Sequence, residues 1–347
     1  MTDLEQELCK IYGKKYSVFT GSGTTAIYLA LKALGTEHKK IIFPAISCTN
    51  PVNAAIAAGC EIDFCDVNLS NYTMDLEYLS TMLEKEKYEV VVPTHIYGHF
   101  CNMSDLKTIC ERHNIKILED AAQTSYLSGG DISITSFGHT KIYETQCGGG
   151  AAFTDNIELY LKMKEIVGLL PLKPYDINDR FNKYREEYYK IVHSKDSTDK
   201  KNIKMRELQI SNAFSFIYHM DENSELLQRL YYKDEINKMR QTKQLIYCSN
   251  LNKKYISIPN VQFDKEVVWR FSFLYLKDRD KLLENVRELN IDISNWYPSL
   301  AMIYKNQKMK NADIVSDKIV NLWVSEEHNV EQIIEEIKKI NRCMEEE

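Results

Sequence analysis

A chain of 347 residues, 44% hydrophobic and 27% charged, can bury a substantial core and is long enough for a large and a small domain. Its net charge of −6, with no long basic stripe, gives no electrostatic reason to expect nucleic-acid binding. Nine cysteines without CxxC pairs or metal-ligand spacing, no secretory leader and no bilayer-length apolar run predict a soluble cytoplasmic chain with reduced thiols, no metal and no membrane contact.

From about Tyr16 to Thr154, short apolar runs alternate with helix-like segments. Strands are expected at 41–44, 61–67, 89–93, 115–118, 132–137 and 151–154. Their near-continuous apolar runs suit strands buried on both faces. Helices are expected at 25–34, ending at Gly35, and at 104–113 with Ser104 as cap. This alternation predicts a wound, mostly parallel α/β sheet. The charged, tyrosine-rich segment 171–201 reads as a surface helix followed by a mobile loop. A long helix near 221–247 then leads into a smaller C-terminal α/β domain, dividing the chain at 1–230 and 231–347. That domain holds a strand-like VVWRFSFLYL, a helix at 280–289 and a closing helix with Val330, Ile333, Ile334, Ile337 and Ile340 on one face.

Chemistry concentrates in the first half. Thr20–Thr25, TGSGTT, opens a helix, and the free N–H groups of a helix start favour an anion such as a phosphate, at Gly23 and Thr24. A plain Ser/Thr N-cap explains the same residues. Ser136, at the end of its strand, offers a further hydroxyl. Asp120 closes the apolar run in IKILEDAAQ, where open α/β sheets bind ligands, although it could equally cap the next helix. In ISITSFGHTKIYETQCGGGAAFT, Lys141 follows one apolar run and precedes Gly148-Gly149-Gly150. An acid ending one buried strand and a lysine just after another match the needs of covalently held pyridoxal phosphate (PLP). The acid protonates the pyridine nitrogen and the lysine forms the Schiff base. His139 reads as a local packing or hydrogen-bonding residue.

With these motifs in this order, the chain resembles the DegT/DnrJ/EryC1/StrS family of fold-type-I PLP aminotransferases over nearly its whole length. The matching segments are Ser22-Gly23-Thr24, PAISCTNPVNAAIAAG with DVNLSNYTMD, THIYGH with Asn102-Met103, EDAAQ, SFGHTK and NIKMRELQ. The resemblance implies Asp120 as partner of the pyridine nitrogen, Gln123 as partner of the ring hydroxyl, Ala122 packed on a ring face, and Lys141 as Schiff-base lysine. It implies further that Asn202 reaches the phosphate in a neighbouring subunit, so that a homodimer shares its active sites. Cys48 stands where the family usually places an aromatic ring over the cofactor. Gly148 replaces a glutamate, Lys204 replaces an arginine, and 123–130 is shorter than the family's hairpin.

The implied reaction is a ping-pong transfer of an amino group, with L-glutamate as donor and a nucleotide-linked keto-sugar as acceptor. Lys141 serves as both anchor and proton carrier. Candidate acceptor contacts are Tyr97, Asn295, Trp296 and Tyr297, while the basic run 195–204 reads as a solvated charge run rather than a phosphate grip. Two alternatives stay open. One is a sugar dehydratase on the same scaffold, in which histidine replaces the Schiff-base lysine. The other is a non-catalytic PLP- or ligand-binding regulatory protein, although no helix-turn-helix or basic DNA-binding segment is present.

Overall fold

The computed structural model describes residues 1–260 and 266–346. Seven strands form the large sheet: β1 (Tyr16–Thr20), β2 (Lys40–Pro44), β3 (Glu61–Cys65), β4 (Val90–Val91), β5 (Lys116–Asp120), β6 (Ile132–Ser136) and β7 (Gly150–Thr154). Their order across the sheet is β1-β7-β6-β5-β4-β2-β3. Neighbours are parallel except β7, which runs antiparallel to both β1 and β6. The carboxyl ends of β1, β5 and β6 therefore gather at one edge with the start of β7. Gly150 faces Thr20 on one side and Ser136 on the other.

The expected parallel α/β sheet is present, and β1 adds to it a strand outside the expected set. Ser17 interrupts its apolar run, and the residue is buried because its hydroxyl donates to the Glu5 carbonyl at 2.8 Å. The helix expected at 104–113 begins at Met103, because the Asn102 side chain, not Ser104, accepts the Asp105 N–H.

A larger correction concerns 171–201. The helix Ile177–Val192 is followed, after only a few residues, by a second helix, Thr198–Ser211, where a mobile loop was expected. Both are tied down. Tyr184 and Tyr188 pack on the main core, and Gln209 donates to the Tyr184 hydroxyl at 2.8 Å while accepting from Asn53 at 2.8 Å. Similarly, the single helix near 221–247 is two, Ser224–Tyr231 and Lys233–Asn250.

The second sheet is antiparallel and small. It comprises β8 (Ile256–Ser257), β9 (Phe271–Tyr275), β10 (Ile293–Ser294) and β11 (Ile319–Leu322), in the order β10-β11-β9-β8. The helices Lys233–Asn250, Arg279–Glu288 and Val330–Glu346 cover it, burying Tyr247, Leu282, Val286, Ile333, Ile337 and Ile340 in one cluster. Ile334 is exposed instead, because the buried stripe follows i, i+4 and i+7 from Ile333. Within VVWRFSFLYL only Phe271–Tyr275 pairs as strand. The residues before it lie against Gly98, and Trp269 donates its N–H to the Tyr97 carbonyl at 2.9 Å. Among the described residues no helix is long and apolar enough to cross a membrane.

The segment between β10 and β11 returns to the large sheet's core, where Leu300, Ile303, Tyr304, Ala312 and Val315 are buried. Asp66, just past β3, fastens it by accepting the N–H groups of Asn311 (3.0 Å) and Ala312 (2.8 Å) along with that of Val67. Removing the carboxylate strands buried donors, so Asp66→Ala is expected to lower unfolding stability by about 2–3 kcal/mol. Asp66→Asn should recover part of the loss. Urea midpoints for the two variants check this, and an unshifted midpoint in Asp66→Ala would refute it.

Candidate active site

The site begins where the helix Gly23–Ala33 meets β6 and β7. Ser22 caps that helix, accepting from Thr25 N at 3.0 Å, while its hydroxyl donates to the Phe216 carbonyl at 3.1 Å. The cap thus takes one of the first-turn N–H groups and leaves those of Gly23 and Thr24 outside it. Packing here tolerates only glycine. A Cβ on Gly23 would lie 2.8 Å from the Ser136 Cβ, and one on Gly150 would lie 2.5 Å from the Gly23 nitrogen. Gly148 and Gly149 lead into β7 at φ of +75° and +122°, conformations that L side chains rarely adopt. The structure therefore brings Gly23 against Ser136, with Thr24 next along the helix, and Ser22 caps that helix.

Asp120 ends β5 with its side chain buried, accepting from Ala122 N at 3.0 Å. Burial pushes its pKa up, against the Ala122 N–H and the positive charge of Lys141. Lys141 follows a tight turn in which Thr140 has φ +69°. Glu144 accepts the Thr140 N–H at 2.7 Å, and Trp269 Nε1 donates to the Thr140 carbonyl at 2.6 Å. His139 is exposed and bonds Glu144 at 2.8 Å, the local role expected of it. The Lys141 ammonium lies 5.7 Å from the Trp269 ring centroid. Burial pulls its pKa below the usual lysine value; Cys48 and Asp120 oppose the shift and Arg270 adds to it. A desolvated lysine amine spends more of its time neutral, which both nucleophilic attack and proton acceptance require.

Cys48 precedes the helix Thr49–Ala57 without capping it. Burial raises its thiol pKa while the charge on Lys141 opposes the shift, so the thiol is a neutral neighbour of the lysine. Ala122 is half-buried next to Gln123. The Gln123 amide joins two tyrosines: Oε1 accepts Tyr97 N at 2.8 Å, and Nε2 donates to the Tyr297 hydroxyl at 3.2 Å. Nε2 carries a second N–H, which suits the ring-hydroxyl role expected of it.

Of the four candidate acceptor contacts, three come together. Tyr97, buried with φ +58°, donates its hydroxyl to the Trp296 carbonyl at 2.6 Å and accepts Tyr297 N at 2.9 Å. Tyr297 stacks between Tyr97 and Trp269, while Trp296 stacks on Tyr188. Asn295 instead lines a shallow cavity of about 580 Å³ with Glu284 and Arg287, a cavity lined by neither Lys141 nor Asp120. Asn202 is half-buried on the helix Thr198–Ser211, and among the described residues no hydrogen bond joins it to Gly23 or Ser136. The basic run nearby is paired locally: Lys204 bonds Asp196 and Lys201 bonds the Val192 carbonyl.

Sequence reasoning missed Trp269, Arg270, Tyr184 and Tyr188. The i, i+4 tyrosines had a helical spacing that could have marked a packed face. Nothing local marks Trp269 and Arg270, whose placement depends on the second sheet.

A family model of the DegT/DnrJ/EryC1/StrS aminotransferase family matches residues 1–341. The chain belongs to that family. It is an aminotransferase. Among its relatives, the 3-oxo-glucose-6-phosphate:glutamate aminotransferase of Bacillus subtilis is 26% identical, over 93% of this chain and 67% of its own length. The dTDP-3-amino-3,6-dideoxy-alpha-D-galactopyranose transaminase of Aneurinibacillus thermoaerophilus is 23% identical, over 98% of this chain and 89% of its own. In fold, the crystal structure of DesV from S. venezuelae in complex with a ketimine intermediate superposes with a TM-score of 0.77 at 20% identity, covering 98% of this chain and 88% of that one.

Aminotransferases of this family use PLP, and the residues gathered here fit that cofactor. A helix start and the Ser136 hydroxyl suit its phosphate, buried Asp120 suits its ring nitrogen, and Lys141 lies in a desolvated setting.

Directly beneath this site, Glu119 is fully buried. It accepts from His95 Nε2 (2.9 Å), Ser133 Oγ (2.5 Å), and the N–H groups of Ser128 (2.5 Å) and Gly129 (2.8 Å). His95 Nδ1 accepts the Cys101 N–H at 3.1 Å, which leaves the ring proton on Nε2 to donate to Glu119. Burial alone would raise the Glu119 pKa, but these bonds, His95 foremost, hold it at about 2. A depressed carboxylate stabilises the fold above its unfolded value of 4.5 and loses that contribution as pH falls towards 2. Glu119→Gln is expected to cost on the order of 3 kcal/mol at pH 7. The gap to wild type should close between pH 4.5 and about 2. Urea titrations across that range measure it, and a gap independent of pH would refute the assignment.

Proposed function

We propose that the protein moves an amino group from L-glutamate to a phosphorylated keto-sugar, nucleotide-linked by resemblance, in two half-reactions that share one site. The observation carrying this reading is the convergence of a desolvated Lys141 and a buried Asp120 at the end of the large sheet that also holds the Gly23 helix start. Bound PLP supplies an electron sink for the bond broken at the donor's Cα. Asp120, held at the strand end by Ala122 N–H, is the carboxylate that would face the ring nitrogen and favour its protonated form. With the cofactor bound, Lys141 would hold it, and its desolvated amine would serve as the base that takes the donor's Cα proton and, in the second half-reaction, returns a proton to the acceptor carbon.

The Trp269, Tyr297 and Tyr97 rings stack in series, with Gln123 bonded to both tyrosines, and Trp269 lies beside Lys141. We assign the acceptor's sugar ring to the Trp296–Tyr297 side of this aromatic wall, with a homodimer in the cytoplasm as the working unit and Asn202 as its contribution to the neighbouring site. The two curated relatives described above, named for sugar acceptors and in one case for glutamate, support the substrate class.

The visible spectrum of PLP-loaded protein tests the reading. Adding L-glutamate should convert the cofactor band to that of its aminated form. Lys141→Ala should slow this by roughly a thousandfold or more, and Asp120→Asn should cost activity far more than stability. A bound cofactor that ignores L-glutamate would point to another amino donor, and undiminished turnover in Lys141→Ala would overturn the mechanism.

A further inference from the structure

Arg270 immediately precedes β9 and is only 6% exposed. Its guanidinium lies between two indoles, with Cζ 4.5 Å from the Trp269 ring centroid and 3.7 Å from that of Trp323. Trp269 is also the ring beside the Lys141 ammonium, so the guanidinium and the amine rest against the same indole. Nη1 donates to Ser294 Oγ at 2.7 Å. Nε is buried with no acceptor. Among the described residues no carboxylate forms an ion pair with Arg270. Asp292 is near enough to favour its charge, but that carboxylate accepts the Trp323 indole N–H at 2.6 Å.

A buried guanidinium is costly unless its charge and its hydrogen bonds are answered. Two indole faces answer part of the charge by cation–π attraction, yet they offer no acceptor to the N–H groups. Those groups project in the guanidinium plane, so a clamp above and below covers its faces and leaves its edge. The ligand that satisfies such an edge is an oxyanion with two or more acceptors, for which arginine is the best-matched side chain.

We propose that Arg270, clamped by Trp269 and Trp323, holds a substrate oxyanion beside Lys141. This rests on the aminotransferase reading, under which two groups have that chemistry: a carboxylate of the amino donor and a phosphate of the acceptor. Either would be held while the reacting carbon sits at the lysine, making Arg270 a determinant of substrate choice.

The three tryptophans of the chain, Trp269, Trp296 and Trp323, all lie around this wall, so intrinsic fluorescence reads the site. PLP-loaded wild type and the variants Arg270→Gln and Arg270→Lys are titrated with glutarate, a carboxylate probe without an amine, and separately with inorganic phosphate. With PLP in place its own phosphate site is filled. At least one probe should titrate saturably in wild type and weaken by roughly 10- to 100-fold in Arg270→Gln, with partial recovery in Arg270→Lys. A response to glutarate alone assigns the donor carboxylate, to phosphate alone the acceptor phosphate, and to both a shared oxyanion subsite. No response from wild type to either probe overturns the proposal even if the variants misfold, and so does unchanged affinity in a folded Arg270→Gln. Failure of the glutamate-donor reading would instead show as a wild-type cofactor band that L-glutamate leaves unchanged.

Discussion

The close approach of three backbones at Gly23, Ser136 and Gly150 is the constraint on which the site depends. Because β7 runs antiparallel between β1 and β6, its first residue faces the carboxyl ends of both at once. A side chain on Gly150 would meet the Ser22–Gly23 backbone at 2.5 Å and push the helix start away from β6. Without that contact the helix dipole would not aim at the sheet edge where Asp120 and Lys141 emerge. The glycine run after Lys141 is therefore a packing requirement.

Burial then sets the chemistry. Asp120, Lys141 and Arg270 are charged groups taken out of water within one neighbourhood, and desolvation is the leading cause of each pKa shift. For Asp120 and Lys141 the mutual attraction opposes that shift without abolishing it. Glu119 shows the contrasting case one residue away, where several donors converge and hydrogen bonding outweighs burial. Adjacent residues on one strand thus have opposite electrostatic fates because their side chains leave opposite faces of the sheet. Glu119 enters a donor-rich pocket that holds the strand end still, while Asp120 enters the site with one backbone donor and capacity to spare.

What could be read from the sequence follows the same division. Strands β2 to β7 and the Lys141–Asp120 pair were legible because both depend on short-range pattern: buried runs, an acid at a strand end, a lysine before glycines. β1 was not, since its polar Ser17 is buried against a partner, Glu5, that lies in another element. The helix Thr198–Ser211 looked like a loop because its charges dominate the local composition, whereas Gln209 holds it through Asn53 and Tyr184, far away in sequence. Ile334 was placed on the buried face by a window too wide for a helix that buries one narrow stripe. Asn295 was grouped with Trp296 and Tyr297 by adjacency, although it faces the helix Arg279–Glu288.

The sequence names Tyr97, Trp296 and Tyr297 but not the contacts that join them to one another and to Trp269. Trp269 reaches Thr140 across 129 positions, and Tyr97 reaches Tyr297 across 200. Such contacts exist only after both sheets have formed and the segment 300–319 has returned to the large core through Asp66. The Lys141 and Asp120 pattern is thus encoded locally, in one stretch of the first half, whereas the aromatic wall beside it is assembled by tertiary packing. Sequence divergence can rebuild that wall without touching the lysine and acid. That separation is the physical reason a family can keep one reaction across many sugars, and why Arg270, set on the wall rather than at the lysine, is where substrate choice in this member is to be sought.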